Sequence, residues 1–151
     1  SLPCMKFVLY HGIDKISPSE LYDILKLRQD IFIVEQNCVY EDIDGLDESS
    51  QHLLLRIGNE LAAYSRIVPP EVKYDEISIG RIVVKEKFRG NGYGKKIVLE
   101  SIAHIAENGH KAIRIEAQAH LLQFYKDLGF KSAGETYILD GIPHLQMLQY
   151  L

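Results

Sequence analysis

Arg89-Gly90-Asn91-Gly92-Tyr93-Gly94-Lys95-Lys96 is the stretch whose reading decides this fold. It follows an apolar, β-branched run from Ile79 to Val84 and opens an amphipathic helical pattern. Three glycines at alternate positions let a backbone turn sharply and approach a ligand closely. The start of a helix leaves amide N–H groups unpaired and carries the positive end of the helix dipole. Strand, glycine turn and helix N-terminus in succession predict a cradle for a phosphate or diphosphate. A plain glycine-rich connection between strand and helix is the other reading, and the rest of the chain has to separate the two.

The pattern around the run is regular. Ile77 to Val84 reads as the strand that feeds it. Gly92 to Asn108 reads as a helix with Ile97, Val98, Ile102, Ile105 and Ala106 on one face, stopped at Asn108-Gly109. Upstream, His52 to Ile57 and Leu61 to Val68 are apolar-rich strands joined at Gly58-Asn59, and Pro69-Pro70 ends the second. Met5 to Tyr10 alternates as a first strand. Ser17-Pro18-Ser19-Glu20 predicts a helix start, with Ser17 as N-cap, Pro18 at the first helical position and Glu20 completing a capping box. Leu21, Ile24, Leu25, Arg28, Ile31 and Phe32 carry that helix to about Phe32.

Downstream, Ala112 to Gln118 reads as a strand with Ile113, Ile115 and Ala117 on one side and Arg114, Glu116 and Gln118 on the other. His120 to Leu128 is a short helix closed by Gly129. Phe130 to Leu139 and His144 to Tyr150 form a hairpin around Asp140-Gly141. The order β-α-β-β-β-α-β-α-β-β predicts one mixed α/β (α+β) domain over residues 1–151, a central sheet flanked by helices. The strands on either side of the long helix should be parallel neighbours joined by a right-handed crossover.

Composition excludes several classes. A net charge of −4 argues against a nucleic-acid-binding surface. No apolar run approaches the roughly 18 residues a membrane span needs. No basic segment followed by an apolar core marks a signal peptide, so a cytoplasmic protein with Cys4 and Cys38 as reduced thiols is expected. The six histidines form no H-x-x-x-H or H-x-x-E-H group, and no metal is expected. Ser1-Leu2-Pro3-Cys4 reads as a cloning remnant ahead of a natural start at Met5. The acidic run Glu41 to Glu48 has Gly45 too early, and no closing glutamate, for a calcium loop. It is expected as a solvated loop that could also guide a cationic substrate.

Spacing then tests the glycine run. A dinucleotide fold needs G-x-G-x-x-G early in a βαβ unit, whereas this chain has G-x-G-x-G after several antiparallel strands. A Walker loop needs G-x-x-x-x-G-K-[ST]; Gly90-x-x-x-Gly94-Lys95-Lys96 is one residue short and lacks the hydroxyl. What remains is R-x-x-G-x-G, with Arg89, Gly92 and Gly94 in place, and downstream Phe124-Tyr125-Lys126-Asp127-Leu128-Gly129-Phe130. These two segments resemble motif A and the end of motif B of the GCN5-related N-acetyltransferase (GNAT) superfamily, and the element order matches as well. More narrowly the chain resembles the ElaA-like branch. The matching blocks include Arg28-x-x-Ile31-Phe32-Ile33-Val34-Glu35-Gln36-x-Cys38-x-Tyr40, Asp42-x-Asp44-x-x-Asp47 and Ile79-Gly80-Arg81-Ile82-Val83-Val84. A further block is Gly134-Glu135-x-Tyr137-x-x-Asp140-Gly141-Ile142-Pro143-His144.

That resemblance implies an acetyl-CoA donor, a primary amine acceptor and, as a family expectation, a homodimer. It implies that the diphosphate is held by the amides of Arg89, Gly90, Asn91, Gly92, Tyr93, Gly94 and Lys95, with Lys96 able to add charge. The pantetheine arm would pair with Ile82, Val83 and Val84 as an added strand. Phe124 and Gln118 are expected at the cofactor, although relatives often carry asparagine at the Gln118 position. Amine attack on a thioester needs a neutral amine and a proton for the departing thiolate. Tyr125 is the family-matched acid. The strand before the glycine run offers Ser78 and Gly80 where some relatives carry a glutamate. The base therefore stays open among Glu35, His52, Glu116, His144 and ordered water. A non-catalytic acyl-CoA-binding module is the alternative function.

Overall fold

The computed structural model describes residues 3–151, so the reading of residues 1–4 as a cloning remnant falls partly, at Ser1 and Leu2, outside the described residues. The strands are β1 (Met5–His11), β2 (Gln51–Ile57), β3 (Glu60–Val68), β4 (Ile77–Val84), β5 (Ala112–Gln118), β6 (Lys131–Ser132), β7 (Tyr137–Leu139) and β8 (Ile142–Tyr150). The helices are α1 (Pro18–Arg28), α2 (Tyr93–Glu107) and α3 (Leu122–Asp127). One sheet runs β1-β2-β3-β4-β5-β8-β6, with β7 also on β8. Every neighbouring pair is antiparallel except β4 and β5, which α2 connects as a crossover.

Both faces of the sheet are covered, which is why β2 and β3 read as nearly continuous apolar runs. On β2, Leu53, Leu55 and Ile57 pack with Ile97, Val98 and Ile105 of α2. Leu54 points the other way, against Ile24 and Leu27 of α1 and Tyr64 of β3. Burying one such leucine or isoleucine contributes about 1.5–3 kcal/mol. No helix among the described residues is long and apolar enough to cross a membrane.

The capping box forms only in half. Ser17 Oγ accepts the Glu20 N–H at 3.2 Å, but the Glu20 carboxylate accepts from Tyr10 Oη (2.8 Å) and Arg56 Nη1 (3.2 Å) instead of the backbone. The first helix also runs differently from the expected stretch to Phe32. It widens after Arg28 into a π-helical turn, Gln29–Glu35, continued by Gln36 N–H to Ile31 O and Cys38 N–H to Ile33 O. Such wide turns shift the direction of the following side chains and recur at functional sites. Here Ile31 and Phe32 still face the core, while Glu35 and Gln36 reach across to other elements.

The expected strand Phe130 to Leu139 is divided. Lys131 pairs with Leu148 and Ser132 with Met147, whereas Tyr137 pairs with His144. The chain between Ser132 and Tyr137 is longer than the β8 segment it faces, so the surplus loops out and interrupts the ladder. The Asp140-Gly141 hairpin is present, with φ of 50° and 78° at the two turn residues, the primed geometry that suits twisted strands.

The β4–β5 junction sets up the site. The two strands pair only at Ile77↔Ile113 and Ser78↔Arg114, while β5 keeps pairing with β8 along its whole length. Past Ser78, β4 is therefore free of β5. A register shift against β3 between Tyr64 and Arg66 falls opposite Arg81, whose φ is +48°. A bulge of this kind bends and over-twists its strand, and it turns Ile82–Val84 away from β5.

Candidate active site

The acidic loop is solvated only in part: Glu41 and Glu48 are exposed as its pattern suggests, but three arginines fold onto Asp42, Asp44 and Asp47. Arg28, fully buried, bonds Asp42 through Nε (2.9 Å) and Asp47 through Nη1 (2.8 Å). Arg66, also buried, forks onto Asp44 at 2.7 and 2.8 Å and reaches Asp47 at 3.1 Å. Arg81 closes the set on Asp42 at 2.8 Å and Asp44 at 3.2 Å, its guanidinium 5.5 Å from the centre of the Tyr40 ring. Burial would raise the Asp47 carboxyl, but the bonds and charges of Arg28 and Arg66 hold it below the usual carboxylate range. The network carries the left-handed Arg81 and hence the bulge in β4. Its signal in the sequence was Arg28, a charge on the apolar stripe of a helix, together with the spaced aspartates.

Where β4 and β5 part, the protein holds a cavity of about 470 Å³. Tyr125, His144, Glu116 and Gln118 all line it, together with Ile82 of the free β4 edge. Tyr125 is only 7% exposed, gripped edge-on by Phe124 and Phe130 with ring centroids 5.0 and 6.0 Å away. Its hydroxyl has no hydrogen-bond partner among the described residues, and burial pushes its pKa up to about 12. His144 Nδ1 lies 2.7 Å from the Ile142 carbonyl oxygen. A carbonyl only accepts, so Nδ1 carries the proton and Nε2 is left as the ring's free acceptor. Glu116 accepts from Tyr137 Oη and lies 3.4 Å from Lys73 Nζ.

Two base candidates are not brought here. Glu35 does not line the cavity; it is bound in bidentate fashion by Arg89 at 2.8 and 2.7 Å, which holds its carboxyl below the usual range. His52 is 1% exposed, accepts from Tyr64 Oη at Nδ1 (2.6 Å) and donates to the Asp47 carbonyl at Nε2 (2.8 Å). Burial lowers its pKa, and it is a core member of the sheet.

The glycine run turns through left-handed backbone at Gly90 and Gly92 directly ahead of α2. Gly90 and Gly92 sit at φ of +80° and +77°, and a Cβ at either would meet nothing within 4 Å, so the loop borders open space. Asn91 Nδ2 ties the loop to the carbonyls of Phe88 (3.0 Å) and Arg89 (3.2 Å). The first intrahelical bond of α2 is Lys96 N–H to Gly92 O, leaving the amides of Tyr93, Gly94 and Lys95 ahead of it, and no acidic side chain occupies the first turn. Gly94 allows close packing, its Cβ position 3.7 Å from Val84 and 4.0 Å from Phe124. The glycine loop, the free strand and the motif around Tyr125 are thereby joined. Sequence reasoning did not single out the third wall of the cavity, from Phe32, Cys38 and Tyr40, although Cys38 Sγ reaches the Asp140 carbonyl at 3.3 Å. Among the described residues no group of three His, Cys, Asp or Glu side chains is arranged to hold a metal ion.

Known proteins are similar to this chain in sequence and share its fold. Residues 25–151 match the family described as an acetyltransferase (GNAT) domain. The chain is 42% identical over 141 residues to the UPF0039 protein sll0451 of Synechocystis, spanning 92% of each. It is 40% identical over 144 residues to protein ElaA of Escherichia coli, again spanning 92% of each. The ElaA crystal structure superposes with a TM-score of 0.88 over 97% of this chain and 99% of that one, at 35% identity among superposed residues. An acyl-CoA N-acyltransferase of Pseudomonas aeruginosa superposes with a TM-score of 0.90 at 31% identity, over 97% and 99% of the two chains.

Proposed function

The chain belongs to the GNAT acetyltransferase family, and from that premise we propose that it transfers the acetyl group of acetyl-CoA to a primary amine of a small molecule or peptide by direct attack. The observation that carries this reading is Tyr125: a buried, unpartnered phenol opening into the cavity that the free β4 edge and His144 also line. The side chain is held almost wholly inside the protein, yet its hydroxyl forms no hydrogen bond to the described residues and opens into the cavity, where a ligand can take it as a donor.

The donor supplies an activated thioester; the chain's residues orient it and move protons. The loop from Arg89 to Lys95 offers backbone N–H groups and a helix N-terminus to the diphosphate, and the exposed Lys95 and Lys96 add charge. The edge of β4 at Ile82, Val83 and Val84 offers main-chain groups to the peptide-like pantetheine arm. Phe124 packs beneath the cradle against Tyr125. Gln118, whose Nε2 donates to Gln36 Oε1 at 3.2 Å, closes the end of the cleft.

An alkylamine with a pKa near 10 must lose a proton to attack, and His144 Nε2 is the acceptor the geometry leaves free, directly or through a water. Glu116 lines the same cavity and leaves the reacting nitrogen to His144. Tyr125 then gives its proton to the departing thiolate, whose conjugate acid has a pKa of roughly 8.5. A phenol at about 12 stays protonated throughout the working range, as an acid in this role requires. The test is release of free CoA thiol by purified protein supplied with acetyl-CoA and a panel of amines and peptides. No release with any acceptor, despite tight CoA binding, would instead identify a non-catalytic acyl-CoA-binding module.

A further inference from the structure

The charge on the cavity walls distinguishes between classes of amine. The guanidinium groups of Arg28, Arg66 and Arg81 and the carboxylates of Asp42, Asp44 and Asp47 pair with one another, three against three, and contribute little net field. Outside that set the charged lining consists of Glu41, Glu116, Asp140 and Lys73. Glu41 and Asp140 form no ion pair among the described residues. Glu116 has one at 3.4 Å, to a Lys73 side chain that is itself 32% exposed. Three carboxylates thus face one ammonium. A carboxylate on an acceptor would find only Lys73, already engaged, whereas a second ammonium would find Glu116 and the two rim acids. The unpartnered phenol of Tyr125, more than nine-tenths buried in the same cavity, independently marks this space as one that a ligand completes.

We propose that the acceptor is an amine carrying a second cationic centre, a diamine-like molecule, with Glu116 as the residue that holds the second cation and Asp140 and Glu41 drawing it in at the rim. The proposal rests on the acetyl-transfer reading above and adds the acceptor's chemical class. The chemistry is unchanged: the amine nitrogen bonds to the acetyl carbon, the carbon–sulfur bond breaks, the ammonium's proton leaves to the base, and the thiolate takes a proton from Tyr125.

The test compares 1,4-diaminobutane, 1-aminobutane and 4-aminobutanoate, which share a carbon chain and differ in charge at the far end. Turnover is followed as free CoA thiol, and binding to CoA-saturated protein is measured by calorimetry. The expected order is diamine, then monoamine, then amino acid. The first step should be at least about tenfold in kcat/KM and in Kd, the scale of one charge-assisted contact. Glu116→Gln should shrink the diamine-to-monoamine ratio to less than about threefold. Asp140→Asn, which suits the left-handed turn position, should shrink it partway and keeps the test alive should the Glu116 variant fold poorly. Equal use of diamine and monoamine, or preference for 4-aminobutanoate, overturns the proposal while acetyl transfer stands. Diamine-selective binding without turnover supports the acceptor site and overturns acetyl transfer. Neither selective binding nor turnover overturns both.

Discussion

Arg89 of the glycine loop and Glu35 at the end of the π-helical turn are joined by two parallel hydrogen bonds of 2.8 and 2.7 Å. The pair ties the expected diphosphate cradle to the segment whose next residue, Gln36, bonds Gln118 in the cavity lining. Both side chains are 41% exposed, so the bridge itself is worth only about 0.2–1 kcal/mol. On the proposed function, a donor diphosphate competes with Glu35 for the same guanidinium. Glu35→Gln should therefore tighten CoA binding by about two- to fivefold, and Arg89→Ala should weaken it by about tenfold or more, both read by calorimetry. Weaker binding in Glu35→Gln would show instead that Glu35 pre-orients Arg89.

Tyr125→Phe removes a proton donor and no internal hydrogen bond. We expect kcat to fall by about a hundredfold, within the usual range for a general acid, with KM for acetyl-CoA little changed. The melting temperature should stay the same or rise, since no buried partner is orphaned. Because burial pushes the Tyr125 pKa up to about 12, the wild-type rate should show no falling limb from this phenol below about pH 11. A falling limb near pH 9 that disappears in Tyr125→Phe would contradict this.

The arginine–aspartate network should be costly to break from one side. Arg28→Met leaves Asp42 and Asp47 short of a buried partner, which typically costs about 3–5 kcal/mol. Urea unfolding should show that loss. Arg81→Met, nearer the surface, should cost less in stability yet lower activity, because Arg81 anchors the bulge that exposes the β4 edge.

Acid should destabilise the protein in two stages. Burial lowers the pKa of His52 in the folded state, so below about 6.5 the unfolded chain takes up a proton that the folded chain refuses, and stability falls. Burial would raise Asp44 and Asp47, but their arginine partners hold both well down. The stability they contribute is present above about pH 3.9 and is lost as pH drops below it. Urea midpoints at constant ionic strength from pH 8 to 3 should show a shallow decline and then a steeper one. His52→Gln, which can keep both hydrogen bonds, should remove the first.

Gly92→Ala separates folding from binding. At φ of +77° an alanine costs about 1 kcal/mol, and its Cβ meets nothing in the free protein. A loss of CoA affinity well beyond the modest fall in melting temperature would place the ligand against this backbone; equal, small effects would argue that the ligand lies elsewhere.

What the sequence determined by itself was local or periodic. The alternation of Ile113, Ile115 and Ala117, the Ser17 cap, the Asp140-Gly141 turn and the glycine run before an amphipathic helix each act within a few residues. Their physics is therefore written in adjacent letters. The same holds for the Phe124-Tyr125 pair, whose neighbours along the chain are its packing partners. The tertiary structure alone decided where the charges go. Asp42, Asp44 and Asp47 looked solvated and are paired; Glu35 looked free for chemistry and is held by Arg89; His52 looked titratable and is buried. A charge finds its partner by distance in space, and here the partners lie up to 54 residues apart in sequence. The parting of β4 from β5 belongs to the same class. It arises from a bulge at Arg81 whose left-handed backbone is tolerated only because that folded network holds it.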